Sequence, residues 1–246
     1  MSNNKKMVVS DYDGTFYLSE EGIKKNVAKV NEFRAEGNMF VMATGNNFRR
    51  FQEVISQYSI GYDYLILDQG ACIFDNNGNL LKACFLDYEA TKQIMSEVEQ
   101  TNKEYKLCNP YDETETLEEK NITKIGVNFV DLQEALEFTD RLNQKYGKYV
   151  NAYTMIFKDI NIVEIVSSQT DKNEAIKFVI EKAGIAKEDV YTVGDGYNDI
   201  SMIQNFGGYC MKNSVDKLLE KCSRRVGSVA ELIEKVINRN RDNEER

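Results

Sequence analysis

No histidine occurs among the 246 residues of this sequence. That absence excludes a Ser-His-Asp or Cys-His catalytic pair, a phosphohistidine mechanism and a histidine-ligated zinc. Acid–base chemistry near neutral pH must then fall to carboxylates, lysines, tyrosines or thiols. The five cysteines, Cys72, Cys84, Cys108, Cys210 and Cys222, are odd in number and form no Cys-x-x-Cys. We expect reduced, mostly buried thiols rather than a disulfide framework. No apolar run approaches the ~18 residues that a membrane span needs. Met1 to Lys6 is polar and carries no signal-peptide core, so a cytoplasmic location without membrane contact is expected. Basic charge is also short: 31 Lys and Arg face 40 Asp and Glu, for a net charge of −9. This argues against nucleic acid or an anionic membrane as partner. A small anionic substrate stays compatible, because one local site can bind an anion on an acidic protein.

What is present is ordinary globular composition, 42% hydrophobic and 29% charged, enough for one large domain or two unequal ones. The chain is organised around Val8-Val9-Ser10-Asp11-Tyr12-Asp13-Gly14-Thr15. A short apolar run, read as a buried strand, ends in two carboxylates one residue apart, and Gly14 marks the sharp exit. Like charges this close need a cation or a proton beside them.

The following segments alternate strand and helix. Ser19 is placed to cap a helix running to about Glu36, with Ile23, Val27, Val30 and Phe33 on one face. Residues 39–43 read as a second buried strand ending in Thr44-Gly45-Asn46-Asn47, then a helix from about 48 to 58. Residues 64–67 read as a third strand, ending in Asp68-Gln69-Gly70-Ala71. These βα units predict a parallel sheet. The pattern then changes to a hairpin over 73–81 with Asn77-Gly78 as its turn. Next come a helix at 88–100, an extended segment near 104–110 and a strand at 123–129. A helix at 132–146 and two antiparallel strands near 149–157 and 160–166 close this part. Its segment 112–119 holds five acidic residues and no basic one, and reads as a solvated loop. The βα pattern returns with a helix over 171–183 and a strand over 190–193, ending in Gly194-Asp195-Gly196-Tyr197-Asn198-Asp199. A short helix, a strand over 208–211 and a helix from about Ser214 follow. Ser228 and Glu231 form a capping box for the last helix, and the charged tail from Asn238 is expected to fray. The expected architecture is an α/β core, residues 1–82 and 167–246, interrupted by an α+β insert at 83–166.

Four strand or helix ends carry chemistry: Asp11/Asp13, Thr44-Gly45, the region of Lys172, and Asp195/Asp199. In a parallel sheet, strand ends from distant parts of the chain meet at one edge, where ligands bind. Three or four carboxylates there call for a hard cation with oxygen ligands. Mg²⁺ fits best, since it accepts one or two carboxylates and takes other oxygens from water and a substrate phosphate.

These motifs, Asp11-Tyr12-Asp13-Gly14-Thr15, Ala43-Thr44-Gly45, Lys172 and Gly194 to Asp199, resemble in order those of haloacid dehalogenase superfamily phosphatases. The resemblance is to the Cof-like group, which places a C2-type α+β cap where the insert lies here. It implies a three-layer Rossmann-like core and hydrolysis of a small-metabolite phosphomonoester, such as a sugar phosphate or a nucleotide-like phosphate. Asp11 is then the nucleophile, forming an aspartyl phosphate, and Asp13 the general acid and base. Lys172 and Mg²⁺ neutralise charge. Thr44 and backbone amides after Asp11 and around Gly45 hold phosphate oxygens. Asp11, the Asp13 carbonyl and Asp195 ligate the metal. Asp199 binds a metal-bound water or orients Lys172, and Asn198 assists the phosphate or metal shell. Asn213 and Glu164 either contact ligand or satisfy polar backbone, and Asp68 reads as a capping residue outside the catalytic set.

Two positions depart from the group's pattern. Asn46 stands where many relatives carry arginine, with Arg49 and Arg50 three and four residues on. Gln69-Gly70-Ala71 replaces the frequent Asn-Gly-Ala. Both are expected on the substrate side rather than at the chemical centre. Two alternatives stay open: a phosphosugar mutase, and a phospho-accepting regulator without turnover. The insert is expected to act as a lid over the site.

Overall fold

The computed structural model describes residues 5–117 and 120–244, with side chains as far as residue 238. The first part of the chain holds β1 (Met7–Ser10), α1 (Glu20–Ala35), β2 (Met39–Ala43) and α2 (Phe48–Tyr58), then β3 (Tyr64–Leu67), β4 (Cys72–Asp75) and β5 (Leu80–Ala83). The insert holds α3 (Tyr88–Gln100), β6 (Tyr105–Cys108), β7 (Glu113–Thr114) and β8 (Lys124–Phe129), then α4 (Leu132–Tyr146), β9 (Val150–Ile156) and β10 (Asn161–Ser167). The return holds α5 (Lys172–Ala183), β11 (Val190–Gly194), α6 (Ile200–Asn205), β12 (Tyr209–Met211), α7 (Asp216–Lys221), β13 (Arg225–Val226) and α8 (Val229–Glu244).

The strands of the first and last parts form one eight-stranded sheet in the order β13-β12-β11-β1-β2-β3-β4-β5. Its strands from β13 to β3 pair in parallel, and the β4–β5 hairpin adds an antiparallel edge. Met7-Val8-Val9-Ser10 is buried at every position, as a central strand covered on both faces must be. Alternation along the strands splits the core in two. Val8, Phe40, Met42 and Leu65 face α1, α2 and α8, while Met7, Val9, Val41 and Ala43 face α5, α6 and α7. Burying each large side chain fully contributes roughly 1.5–3 kcal/mol. The caps follow the sequence signals: Ser19 accepts from the Gly22 amide at 3.1 Å, and Ser228 accepts from the Glu231 amide at 3.1 Å.

The insert is a second sheet, β7-β6-β8-β10-β9, antiparallel throughout, with α3 and α4 supplying its core. Ala83 still pairs in the first sheet and Ser167 still pairs in the second. Two short strands, β7 and β13, escape the sequence reading because two residues give no periodicity. The acidic stretch 112–119 is thus partly ordered: Asp112 pairs with Arg49 at 2.9 Å and Glu113 with Lys106 at 2.8 Å. Its Glu118 and Glu119 lie outside the described residues, as do residues 1–4 and 245–246. Four cysteines are buried, Cys84 is half-buried, and all five are free thiols. Among the described residues no helix is long and apolar enough to cross a membrane.

Candidate active site

The central strands β1, β2 and β11 end side by side, which brings Asp11, Thr44 and Asp195 to one edge. The turn after β1 is tight. The Asp11 amide donates to Val193 O at 2.9 Å, and the Phe16 amide donates back to Asp11 O at 3.2 Å. Gly14 sits at φ +79, and the Asp195 carboxylate packs where a Cβ would stand, its carbon 2.8 Å away. Only glycine admits both the left-handed backbone and that close approach. Thr15 then donates to Asp195 Oδ1 at 2.6 Å.

Lys172 is the first residue of α5, and Asp171 caps that helix. Its ammonium is buried between Asp11 Oδ1 and Asp199 Oδ1, at 2.7 Å from each. Burial works against this charge, but the two carboxylates outweigh it and hold the Lys172 pKa above the usual lysine range. Asp199 is fully engaged, since its Oδ2 accepts from the Asp195 and Gly196 amides at 3.0 Å each. Burial raises the Asp11 carboxyl well above the ordinary range, opposed by Lys172. Burial also pushes Asp195 up to about 6.

Carboxylate oxygens of Asp11, Asp195 and Asp199 lie within 4.8 Å of one another. One ammonium against three carboxylates leaves an excess of negative charge. Burial first, and mutual repulsion second, raise the Asp11 and Asp195 carboxyls, and a divalent oxygen-seeking cation such as Mg²⁺ would stabilise their ionised forms. The residues therefore fit such an ion. Asp11 and Asp195 are the carboxylates best able to ligate it, because the oxygens of Asp199 are spent on Lys172 and two amides.

Asp13 stands apart from this cluster. It is exposed to the cavity, yet the surrounding protein desolvates its carboxyl enough to raise the pKa. Asn46 Nδ2 donates to Asp13 Oδ2 at 3.2 Å and to Thr44 Oγ1 at 3.0 Å. The expectation that Asn46 lies away from the chemical centre is therefore corrected: a short amide at this position reaches back to Asp13. Gln69 does lie toward the insert. Its Oε1 accepts from Asn198 at 2.8 Å, and its Nε2 donates to Glu164 at 2.6 Å.

These groups line a cavity of about 370 Å³ between the two sheets. Asp11, Asp13, Thr44, Gly45, Asn198 and Glu164 all border it, with Arg50 on the core side. Asn213 does not. Its amide donates to Gly14 O at 2.9 Å and so supports the turn after Asp11, the backbone role. Asp68 is no helix cap. It is fully buried and receives the Thr123 hydroxyl at 2.8 Å, with the Lys124 ammonium 3.3 Å away.

Sequence reasoning missed Lys124 and Asn128, which border the cavity from the insert. The signal was present in β8, where Lys124, Gly126 and Asn128 alternate with Ile125, Val127 and Phe129. Period-two alternation gives a strand one apolar face and one free to meet a ligand.

The fold and site define a parallel-sheet α/β core, covered by helices on both faces, with a carboxylate-rich centre under an inserted antiparallel sheet. The haloacid dehalogenase-like hydrolase family model matches residues 8–110 and 99–232, and the chain belongs to that family. A Buchnera aphidicola protein whose name assigns it provisionally as a phosphatase is 26% identical, with 87% of this chain and 89% of that one covered. The 5-amino-6-(5-phospho-D-ribitylamino)uracil phosphatase YbjI of Escherichia coli is 24% identical over 94% of this chain and 96% of its own. Among solved structures, a haloacid dehalogenase-like hydrolase from Bacteroides thetaiotaomicron superposes with a TM-score of 0.77 at 19% identity, covering 95% of this chain and 100% of that one. A sugar phosphatase of subclass IIB matches at 0.77 with 16% identity, covering 96% and 99%.

Proposed function

We propose that this hydrolase is a Mg²⁺-dependent phosphatase that cleaves a small-metabolite phosphomonoester through an aspartyl phosphate on Asp11. The observation that carries the reading is the division between two carboxylates separated by one residue. Asp11 is buried and held by Lys172, while Asp13 faces the cavity with a raised carboxyl. One is built to stay fixed and the other to move a proton.

Asp11 attacks phosphorus, and the ester oxygen leaves with the proton of the Asp13 carboxyl. A water then gives its proton to the Asp13 carboxylate and attacks the same phosphorus, breaking its bond to Asp11 and releasing phosphate. Lys172 keeps Asp11 oriented and offsets charge on the phosphoryl oxygens. The Thr44 hydroxyl accepts from Asn46, so its own hydrogen is free to donate to a phosphate oxygen. Asp11, the Asp13 carbonyl and Asp195 would hold Mg²⁺, which would supply positive charge to offset that of the carboxylate and the phosphate. Asp199 fixes Lys172, and residues 83–166 act as the lid.

A cavity of this size, lined by charged groups and by Met155, Ile160 and Ile162, suits a sugar phosphate or a nucleotide-like phosphate. The names of the ribitylaminouracil phosphatase and the sugar phosphatase agree with that class. The test is phosphate release from an aryl phosphate. It should require Mg²⁺ and vanish in Asp11→Asn, and unimpaired turnover by that variant would sink the reading.

A further inference from the structure

The proposed chemistry leaves one buried cation without a task. Lys124 enters from the insert, at the start of β8, with a side chain 9% exposed. Three oxygens surround its ammonium: the Gly45 carbonyl, Glu164 Oε1 at 2.9 Å and Asp68 Oδ1 at 3.3 Å. The last is an ion pair only, because Asp68 Oδ1 makes no hydrogen bond. Two of its three N–H groups go to the Gly45 carbonyl and to Glu164, and the Asp68 charge lies beside the ammonium. Glu164 and Asp68 together hold its pKa above the usual lysine range against the effect of burial.

The contacts continue on both sides. Glu164 Oε2 accepts from Gln69, and Gln69 accepts from Asn198. A line of polar contacts, Asn198–Gln69–Glu164–Lys124–Gly45, thus ties three loops of the first sheet to two strands of the second. The backbone is bent to serve it. Asp68 and Gln69 are consecutive non-glycine residues at φ 48 and φ 60. Left-handed residues of this kind persist only where their surroundings over-determine them. Gly45 must also lack a side chain, because its Cβ would meet Gln69 Nε2 and come within 3.2 Å of Glu164 Oε2.

We propose that Lys124 is a positioning residue that clamps the insert onto the phosphate loop and fixes Glu164 and Gln69 as the pair that reads hydroxyl groups of the leaving group. The Lys124 ammonium is held among Gly45, Glu164 and Asp68. Glu164 retains a lone pair on each oxygen, and Gln69 retains one N–H. Both border the cavity. A hydroxyl beside them can donate to the first and accept from the second. The choice of hydroxyl-bearing leaving groups rests on the phosphatase reading, whereas the clamp does not.

Lys124→Met tests both halves. Hydrogen exchange should show at least about tenfold lower protection at 44–46 and 68–70, the segments the clamp holds, with β9 and α4 unchanged. The KM for ribose 5-phosphate should rise by about tenfold with kcat within about threefold, as expected when positioning rather than chemistry is lost. Lys124→Arg, which keeps the charge, should restore most of the protection. Should the single variant not fold, Asp68→Asn combined with Lys124→Met leaves one buried carboxylate fewer without its partner and must show the same exchange pattern. Wild-type protection and KM in Lys124→Met would overturn the clamp. A collapse of kcat at constant KM would also overturn it, by putting Lys124 on the reacting atoms. A wild-type protein that releases no phosphate from any ester would defeat the functional reading alone, since the exchange measurement needs no turnover.

Discussion

Replacing Asp68 by asparagine should change how the stability of the protein depends on pH. Asp68 is fully buried, with Thr123 and Lys124 as its polar neighbours. Burial raises its carboxyl to about 6, only partly opposed by Lys124. The unfolded chain returns it to about 3.9. The folded state therefore binds this proton more tightly. The stability it contributes is fully present below about pH 4 and is lost as pH rises through about 6. A difference of about 2 in pKa corresponds to roughly 3 kcal/mol over that window. Asparagine carries no such proton. The attraction between Lys124 and the ionised Asp68 is already contained in the folded pKa, so it adds no separate pH dependence to the comparison. Urea unfolding of both proteins at about pH 4 and pH 7, with equal m-values, isolates the effect. The stability of Asp68→Asn relative to wild type should shift in favour of the variant by roughly 3 kcal/mol between the lower and the higher pH. A difference that stays constant within about 0.5 kcal/mol, or that moves the other way, would refute the assignment of a raised pKa to this carboxyl.

Other perturbations reach the centre itself. Lys172→Met leaves Asp11 and Asp199 buried without their cation, so thermal or urea melts should show a loss of about 3–5 kcal/mol, with hydrolysis reduced at least about a thousandfold. Retained activity would remove Lys172 from the mechanism. Thr15→Val deletes the hydroxyl that donates to Asp195 Oδ1 at 2.6 Å. Calorimetry should find Mg²⁺ binding weakened by about 10–100-fold, the usual effect of losing a partner that orients a ligand, and an unchanged affinity would argue that Asp195 does not hold the ion. Gly45→Ala forces Gln69 and Glu164 away from the loop after β2. The KM for a sugar phosphate should rise about tenfold in steady-state assays, roughly 1.4 kcal/mol of lost binding, and an unmoved KM would separate Gly45 from substrate recognition.

Much of the site is legible in the sequence because its parts follow local rules. A buried strand that ends in Asp-x-Asp-Gly-Thr must turn sharply, and Gly14 with Thr15 does so while carrying Asp195 against it. The long helices α1, α2, α3, α4 and α5 were readable in the sequence, α1 also from its cap at Ser19, whereas Asp171, read as the first residue of α5, is its cap. What escaped depends on pairing across long separations. Lys124 acquires its meaning only from Gly45 and Asp68, 79 and 56 residues away, and Asp68 looked like a cap because nothing local revealed the cation above it. Asn213 offered the same amide to ligand or backbone, and only its placement against Gly14 decides for backbone. The two positions that depart from the family pattern prove the most instructive. Asn46 bridges Asp13 and Thr44, and Gln69 bridges Asn198 and Glu164. Both are amides, able to donate and accept at once, where a guanidinium could only donate. At position 46 the chain carries a group that relays hydrogen bonds where many relatives carry fixed positive charge, and at position 69 it carries a longer amide in place of a shorter one. The cationic work of the site is thereby concentrated on Lys172 at the centre and Lys124 at the rim. Asp11 and Asp13, alike in sequence, differ because only one of them lies within reach of the first of these lysines.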